Sequence, residues 1–336
     1  MTVKIATAQY DISFLADWAS YEQKTTRWVE EAVAQHAKIL LLPEYFSMEL
    51  ASLFGQEIYS SLSKQLESMQ SLHDDFIALF NRLAVQHQCF IQAGTFPVLV
   101  KAGQYINRAY LFRPEGQIDY QDKLMMTRFE KEQWLIAAGT ELKYFDTIYG
   151  KIGINICYDS EFPLLARKQV EAGCVLILVP SCTDTVAGYH RVKIGCQARA
   201  LENQCYVVQS SLVGNAPWSE AVDINVGAAA VYTPVDRGFP DNGILSIGSF
   251  NEVQWVFAEI SPQACGTVRE EGQVFNYRDW PLQQLCLKGS LKTELKFKSY
   301  FDKISFNRAM PSHWSCRTRS LETCKSLAIS LKVFSE

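Results

Sequence analysis

Apolar residues recur along this chain with two spacings, and the alternation between them predicts its architecture. A period of two marks half-buried strands, and a period of three to four marks amphipathic helices. Residues 3–9 read as a strand, 21–36 as a helix and 39–42 as a short apolar strand. Residues 72–87 read as the next helix and 89–94 as the strand after it. Residues 105–112 and 118–121 flank a Pro114-Glu-Gly116 turn, which is a hairpin signal. The second half repeats the style, with a fully apolar strand at 174–179, a helix at 191–203 and strands at 205–212 and 227–232. Residues 243–249 and 253–260 predict a closing hairpin. Strands and helices in this order define an α/β class, with helices on the outer faces of mixed sheets. Ligands in such folds gather beyond the carboxyl ends of strands.

In Lys151-Ile-Gly-Ile-Asn-Ile-Cys-Tyr-Asp-Ser-Glu-Phe-Pro163 an alternating strand stops where a Pro-led helix begins, so Cys157 falls at the bend. Ile152, Ile154 and Ile156 share one strand face, and Gly153, Asn155 and Cys157 share the other. Asp159 or Ser160 can cap the helix, with Glu161 and Pro163 in its first turn and Gly173 closing it. A thiol held there lies near free backbone N–H groups, which favour a thiolate or an oxyanion. The ordinary fate of a free cysteine is core packing. Cys157 is set apart by its company: Ile39-Leu-Leu-Leu-Pro-Glu44 ends a strand on a carboxylate, and Tyr120-Gln-Asp-Lys123 ends one on an ammonium. Cys182 also follows a strand, but no acid or base is matched to it.

Four stretches occur in the order and at the spacing of one family. They are Leu41-Leu-Pro-Glu44 with Tyr45, Asp122-Lys-Leu-Met-Met-Thr-Arg-Phe-Glu130, Asn155-Ile-Cys-Tyr-Asp159 with Phe162-Pro163, and Ala198-Arg-Ala-Leu-Glu-Asn-Gln-Cys-Tyr-Val-Val208. On these motifs the chain resembles the nitrilase superfamily of carbon-nitrogen hydrolases from Thr2 to about Trp280. The resemblance implies a four-layer α-β-β-α sandwich over residues 1–280, with no cofactor. It also implies a Glu-Lys-Cys triad at Glu44, Lys123 and Cys157, with a second glutamate at Glu130; Glu132 is close enough to compete for that place. The Cys-Tyr-Asp-x-x-Phe-Pro pattern is similar to amidase members, which puts a small linear amide first as substrate and a nitrile or N-carbamoyl compound behind it. Family members commonly assemble, so a homodimer or a higher homo-oligomer is expected.

The chemistry explains why these side chains belong together. An ordinary thiol is only about 3 per cent thiolate at neutral pH, and the thiolate is the attacking form. Glu44 is the expected base, passing the thiol proton to the departing amine and then activating water. Lys123, helped by the backbone N–H of Tyr158, is expected to stabilise the oxyanion. At an effective dielectric of 20, unit charges about 4 Å apart attract by roughly 4 kcal/mol, nearly a thousandfold in rate. In Ser181-Cys-Thr-Asp-Thr-Val-Ala-Gly-Tyr-His190, read as a loop, Asp184 could bind an amine and Tyr189 or His190 could line the pocket; Tyr45 and Tyr158 flank the reacting groups, and Tyr45 is a further candidate substrate contact.

Composition narrows the alternatives. A chain of 336 residues with 48% hydrophobic content can bury a large core. Cys174, Cys182, Cys196 and Cys205 are spaced too irregularly for a zinc site, so no metal is expected. The sequence opens directly into a strand, without a charged leader or a membrane-length apolar run, and its thiols are unpaired in spacing; a reducing cytoplasm is the expected location. Residues 281–336 carry ten Lys or Arg against four Asp or Glu, whereas the preceding residues carry 22 against 32. This basic extension reads as an arm to a second subunit or as a solvated appendage, its charge too scattered for nucleic acid. The nucleophile-elbow, zinc-helix, phosphate-loop and dinucleotide-loop patterns are all missing. A binding or assembly module on the same fold is the reading of a different class.

Overall fold

Alternation along each strand sorts the buried side chains into two layers. Ile5 joins one cluster while Ala6, Ala8 and Tyr10 of the same strand, Val3–Asp11, join the other. In Ile39–Leu41 the outer two residues part from Leu40, and in Gln104–Phe112 Leu111 parts from Tyr110 and Phe112. Helices Trp18–Ala34 and His73–His87 complete the first cluster with Tyr21, Trp28, Val29, Phe76, Phe80 and Leu83, spaced to share one helical face. The second runs from Ile5, Ile39 and Leu111 through Ile152, Ile154, Leu176 and Leu178 to helices Pro163–Glu171 and Val186–Asn203, which add Val170, Val192 and Cys196. Helices, sheet, sheet and helices therefore stack as a four-layer α-β-β-α sandwich. Each fully buried Leu or Phe contributes roughly 1.5–3 kcal/mol to holding the layers together.

The computed structural model describes residues 2–134 and 136–287. Its contacts divide the chain into units 1–283 and 284–336, and the elements named here belong to the first. From residue 288 onward the basic extension, with Cys316 and Cys324, lies outside the described residues. The strand order is Phe96–Lys101, Gln104–Phe112, Phe90–Gln92, Ile39–Leu41, Val3–Asp11, Tyr206–Asn215, Cys174–Ser181, Gly150–Ile154, Tyr144–Thr147. The two sheets join where residues 9–11 run parallel to residues 211–213. Parallel pairing of Ile39–Leu41 with Val3–Asp11, and of Gly150–Ile154 with Cys174–Ser181, points the carboxyl ends of these strands one way within each sheet.

Three expectations are corrected. The closing hairpin does not form: Ile244–Ile247 pairs with Ala230–Tyr232, and Gln254–Ile260 instead pairs antiparallel with residues 3–9. Gln9 holds the intervening turn, donating from Nε2 to the carbonyls of Ser249 (2.8 Å) and Glu252 (2.6 Å), and the two strands diverge on either side of it. The predicted helix at 21–36 starts earlier, because Asp17 accepts the N–H of Ser20 at 2.8 Å as its cap. The helix predicted at 191–203 starts at Val186, because Thr185 accepts the N–H of Gly188 at 3.0 Å. Tyr189 and His190 therefore lie on a helix rather than in a loop.

Gly94 guards the turn that carries Glu44. Its φ is +51°, and an added Cβ would sit 2.1 Å from the Pro43 carbonyl oxygen and 2.5 Å from Phe46 Cδ1. Gly103, at φ +70°, has nothing within 4 Å of the same position and isolates the backbone cost. Thermal unfolding should show Gly94→Ala destabilised by more than about 2 kcal/mol relative to Gly103→Ala, because crowding adds to backbone strain. Equal melting of the two variants would contradict this.

Candidate active site

Strand ends position the candidate reacting groups. Ile39–Leu41 leads through Leu42 and Pro43 to Glu44; Ile118–Asp122 stops just before Lys123; Gly150–Ile154 leads to Cys157. Cys157 opens the 3-10 turn Cys157–Glu161 at φ +47°, and Tyr45 sits at φ +57° directly after Glu44. Non-glycine residues in this left-handed region are uncommon and costly, and such strain concentrates at functional sites. The expected cap by Asp159 or Ser160 is not formed. The helix Pro163–Glu171 begins behind Phe162, because the 3-10 turn intervenes.

Glu44, Lys123 and Glu130 form a buried assembly. Lys123 Nζ donates to Glu44 Oε1 at 2.7 Å and to Glu130 Oε1 and Oε2 at 2.8 and 2.7 Å. Glu132 takes no part, pairing instead with Arg128 at 2.7 Å on the surface. Tyr45 Oη donates to Glu130 Oε1 at 2.6 Å, and the Thr127 N–H and hydroxyl both reach Glu130 Oε2 at 2.9 Å. Glu44 Oε2 accepts the backbone N–H of Cys182 at 3.1 Å, while the Cys157 thiol lies 3.6 Å from the Cys182 carbonyl. The Cys182 thiol itself turns away to Asn225 Oδ1 at 3.3 Å.

Each pKa follows from this packing. Burial raises Glu44, and Glu130 adds to the rise, while Lys123 and a hydrogen bond with Cys157 oppose it. Burial alone would raise Glu130 too, but the Lys123 ammonium, with its hydrogen bond and those of Tyr45 and Thr127, holds it below the usual carboxylate range. Burial alone would lower Lys123; Glu130, Glu44 and Cys157 outweigh it and keep the amine firmly protonated. Burial and then Glu44 push the Cys157 thiol well up, against the pull of Lys123. The resting sulfur is therefore a thiol beside a carboxylate of enhanced basicity.

A cavity of about 460 Å³ opens over the assembly and is lined by Glu44, Lys123, Glu130 and Cys157, with Tyr45, Tyr158 and Asp184 in its walls. Tyr158 falls in the first turn after Cys157, where backbone N–H groups precede the first intrahelical bond. Tyr189 and His190 are not among the lining residues: Tyr189 is buried with its ring 5.2 Å from Phe250, and His190 is exposed beside it. Asn107 escaped the sequence reading. Fully buried, it donates from Nδ2 to Glu44 Oε1 at 2.9 Å and approaches Glu130 Oε1 at 3.5 Å. Its signal was parity, since it shares a strand face with Ala109 and Leu111, where an amide is out of place without a polar partner.

Fold and sequence together define the class: the family profile "Carbon-nitrogen hydrolase" matches residues 4–262, and the chain belongs to that family. Among individual proteins, it is 34% identical over 277 residues to "Probable hydrolase YhcX" of Bacillus subtilis, covering 82% of this chain and 53% of that one. The chain thus spans about half the length of that relative. It is 27% identical over 260 residues to "Omega-amidase NIT2-B" of Xenopus laevis, covering 74% of this chain and 85% of the relative. Among solved structures, Nit3 of Saccharomyces cerevisiae, described as a member of branch 10 of the nitrilase superfamily, superposes with a TM-score of 0.63. The two are 23% identical, with 80% of this chain and 93% of that one covered.

Proposed function

We propose that this protein hydrolyses a small linear carboxamide through a thioester on Cys157, releasing ammonia. The observation that carries the reading is the protonated Lys123, held between Glu44 and Glu130 at the floor of the cavity that Cys157 lines. Glu44 takes the proton as sulfur bonds to the carbonyl carbon, and the oxyanion forms against Lys123 and the Tyr158 N–H. When the intermediate collapses, the C–N bond breaks and Glu44 gives its proton to the departing nitrogen, which leaves as ammonia. Glu44 then deprotonates a water that attacks the thioester; the C–S bond breaks, the carboxylic acid product leaves, and Glu44 returns the proton to sulfur, restoring the thiol. Glu130 anchors the ammonium through both its oxygens and is itself held by Tyr45 and Thr127.

The omega-amidase name of one relative supports an amide over a nitrile or an N-carbamoyl compound. Ammonia release measured across short aliphatic amides, matched nitriles and N-carbamoyl amines is expected to favour the amides. Quenching in turnover should leave an adduct of acyl mass on the Cys157 peptide. Preferential turnover of the nitriles or carbamoyl compounds would overturn the substrate, and an adduct on any other cysteine would overturn the nucleophile.

A further inference from the structure

We propose that Asp159 is a positioning residue, whose carboxylate brackets the segment after Lys123 to the residue before Cys157 and so sets the placement of the ammonium against the sulfur. Asp159 Oδ1 accepts the backbone N–H of Met125 at 2.7 Å and that of Leu124 at 3.2 Å, and Oδ2 accepts that of Ile156 at 3.1 Å. Two chain segments more than thirty positions apart therefore meet on one side chain that is 1% exposed. Leu124 and Met125 follow the end of Ile118–Asp122 and lie in no strand or helix, so their N–H groups have left the ladder. Partly buried amides without an acceptor are costly, and the carboxylate supplies the missing one.

The chemistry requires a carboxylate at this point. Asparagine has nearly the same shape but one oxygen, and its NH2 would face one of these N–H donors. Asp159 is also the third buried carboxyl near a single ammonium, after Glu44 and Glu130. Burial pushes it up to about 7, with the Lys123 charge and the three N–H donors opposing the rise. Asn107 ties Glu44 to Glu130 beside Lys123, while Asp159 ties the backbone on which Lys123 stands to the backbone of Cys157.

The inference rests on the role proposed for Lys123 at the thiol, and its test does not need a substrate. Alkylation of Cys157 by iodoacetamide, followed by peptide mass spectrometry, reads the thiolate directly in four proteins: the parent, Asp159→Asn, Lys123→Met and the double variant. Asp159→Asn is expected to slow alkylation about tenfold in the parent and less than about twofold when Lys123 is already gone, because coupled residues are non-additive. Equal slowing in both backgrounds would reduce Asp159 to a local structural residue, and no slowing in the parent would also overturn the proposal. Should Lys123→Met by itself leave alkylation unchanged, the reading of Lys123 fails first, and the two failures are told apart. Hydrogen exchange on the unmodified protein gives a second reading that needs no variant. The amides of Leu124 and Met125 should be protected to a degree comparable with Ile156, and their exchange at unprotected loop rates would overturn the bracket.

Discussion

Cys157→Ala should abolish amide turnover, lowering it by at least about four orders of magnitude, while the thermal midpoint stays within a few degrees of the parent. The two halves of this expectation have separate causes. In the proposed reaction the sulfur is the atom that bonds to the acyl carbon, and neither Glu44 nor a water held by Glu44 would replace a thiolate within the same geometry. Packing changes little, because alanine removes one atom from a residue lining a cavity and keeps the same left-handed φ of +47°. The measurement pairs ammonia release with calorimetry. Turnover within tenfold of the parent would transfer the nucleophile's role elsewhere, and Cys182, whose backbone touches both Glu44 and Cys157, would be examined next.

Lys123→Met should be the most destabilising change at the site, by about 3–5 kcal/mol, and should also lower kcat by about a thousandfold. Methionine fills much of the volume but leaves Glu44 and Glu130, both buried, without the ammonium that donates three hydrogen bonds to their oxygens. The sign of the pH dependence follows. In the parent, Lys123 holds Glu130 low, so that contribution is complete above the ordinary carboxylate pKa and is lost as pH falls through the lowered value. In the variant both carboxyls rise above their unfolded values. Their cost is absent below the unfolded pKa, grows as pH rises above it and is complete above the raised one. Denaturant unfolding should therefore show a deficit that is already present near pH 5, from the lost Glu130 contribution, and widens toward pH 8. A deficit independent of pH would mean that the ammonium does not govern these carboxyls.

The convergence of Glu44, Lys123 and Cys157 on one cavity was legible in outline because each follows the end of a strand, which must deliver whatever comes after it. The two-layer packing was legible in outline, since the period of two that separates Ile5 from Ala6 also separates Ile39 from Leu40. What stayed hidden depends on hydrogen bonds between distant segments. Tyr45 read as a substrate contact, and only the fold brings its hydroxyl to Glu130, 85 positions away. Asp159 read as a helix cap, and only the fold shows that its oxygens face Met125 and Ile156. The helix starts were misplaced because they are set by side-chain caps, Asp17 on the Ser20 N–H and Thr185 on the Gly188 N–H, rather than by apolar spacing. The hairpin was misread because neighbouring strands in sequence compete with a longer free edge elsewhere, here residues 3–9.

Residue 182 touches Glu44 and Cys157 through its peptide unit alone, its N–H on Glu44 and its carbonyl toward the Cys157 thiol, and it is one of the residues that line the cavity. Any residue that keeps an amide hydrogen offers the same two contacts. On the proposed mechanism, a substitution at this cavity-lining position should therefore alter substrate preference while leaving those two contacts in place.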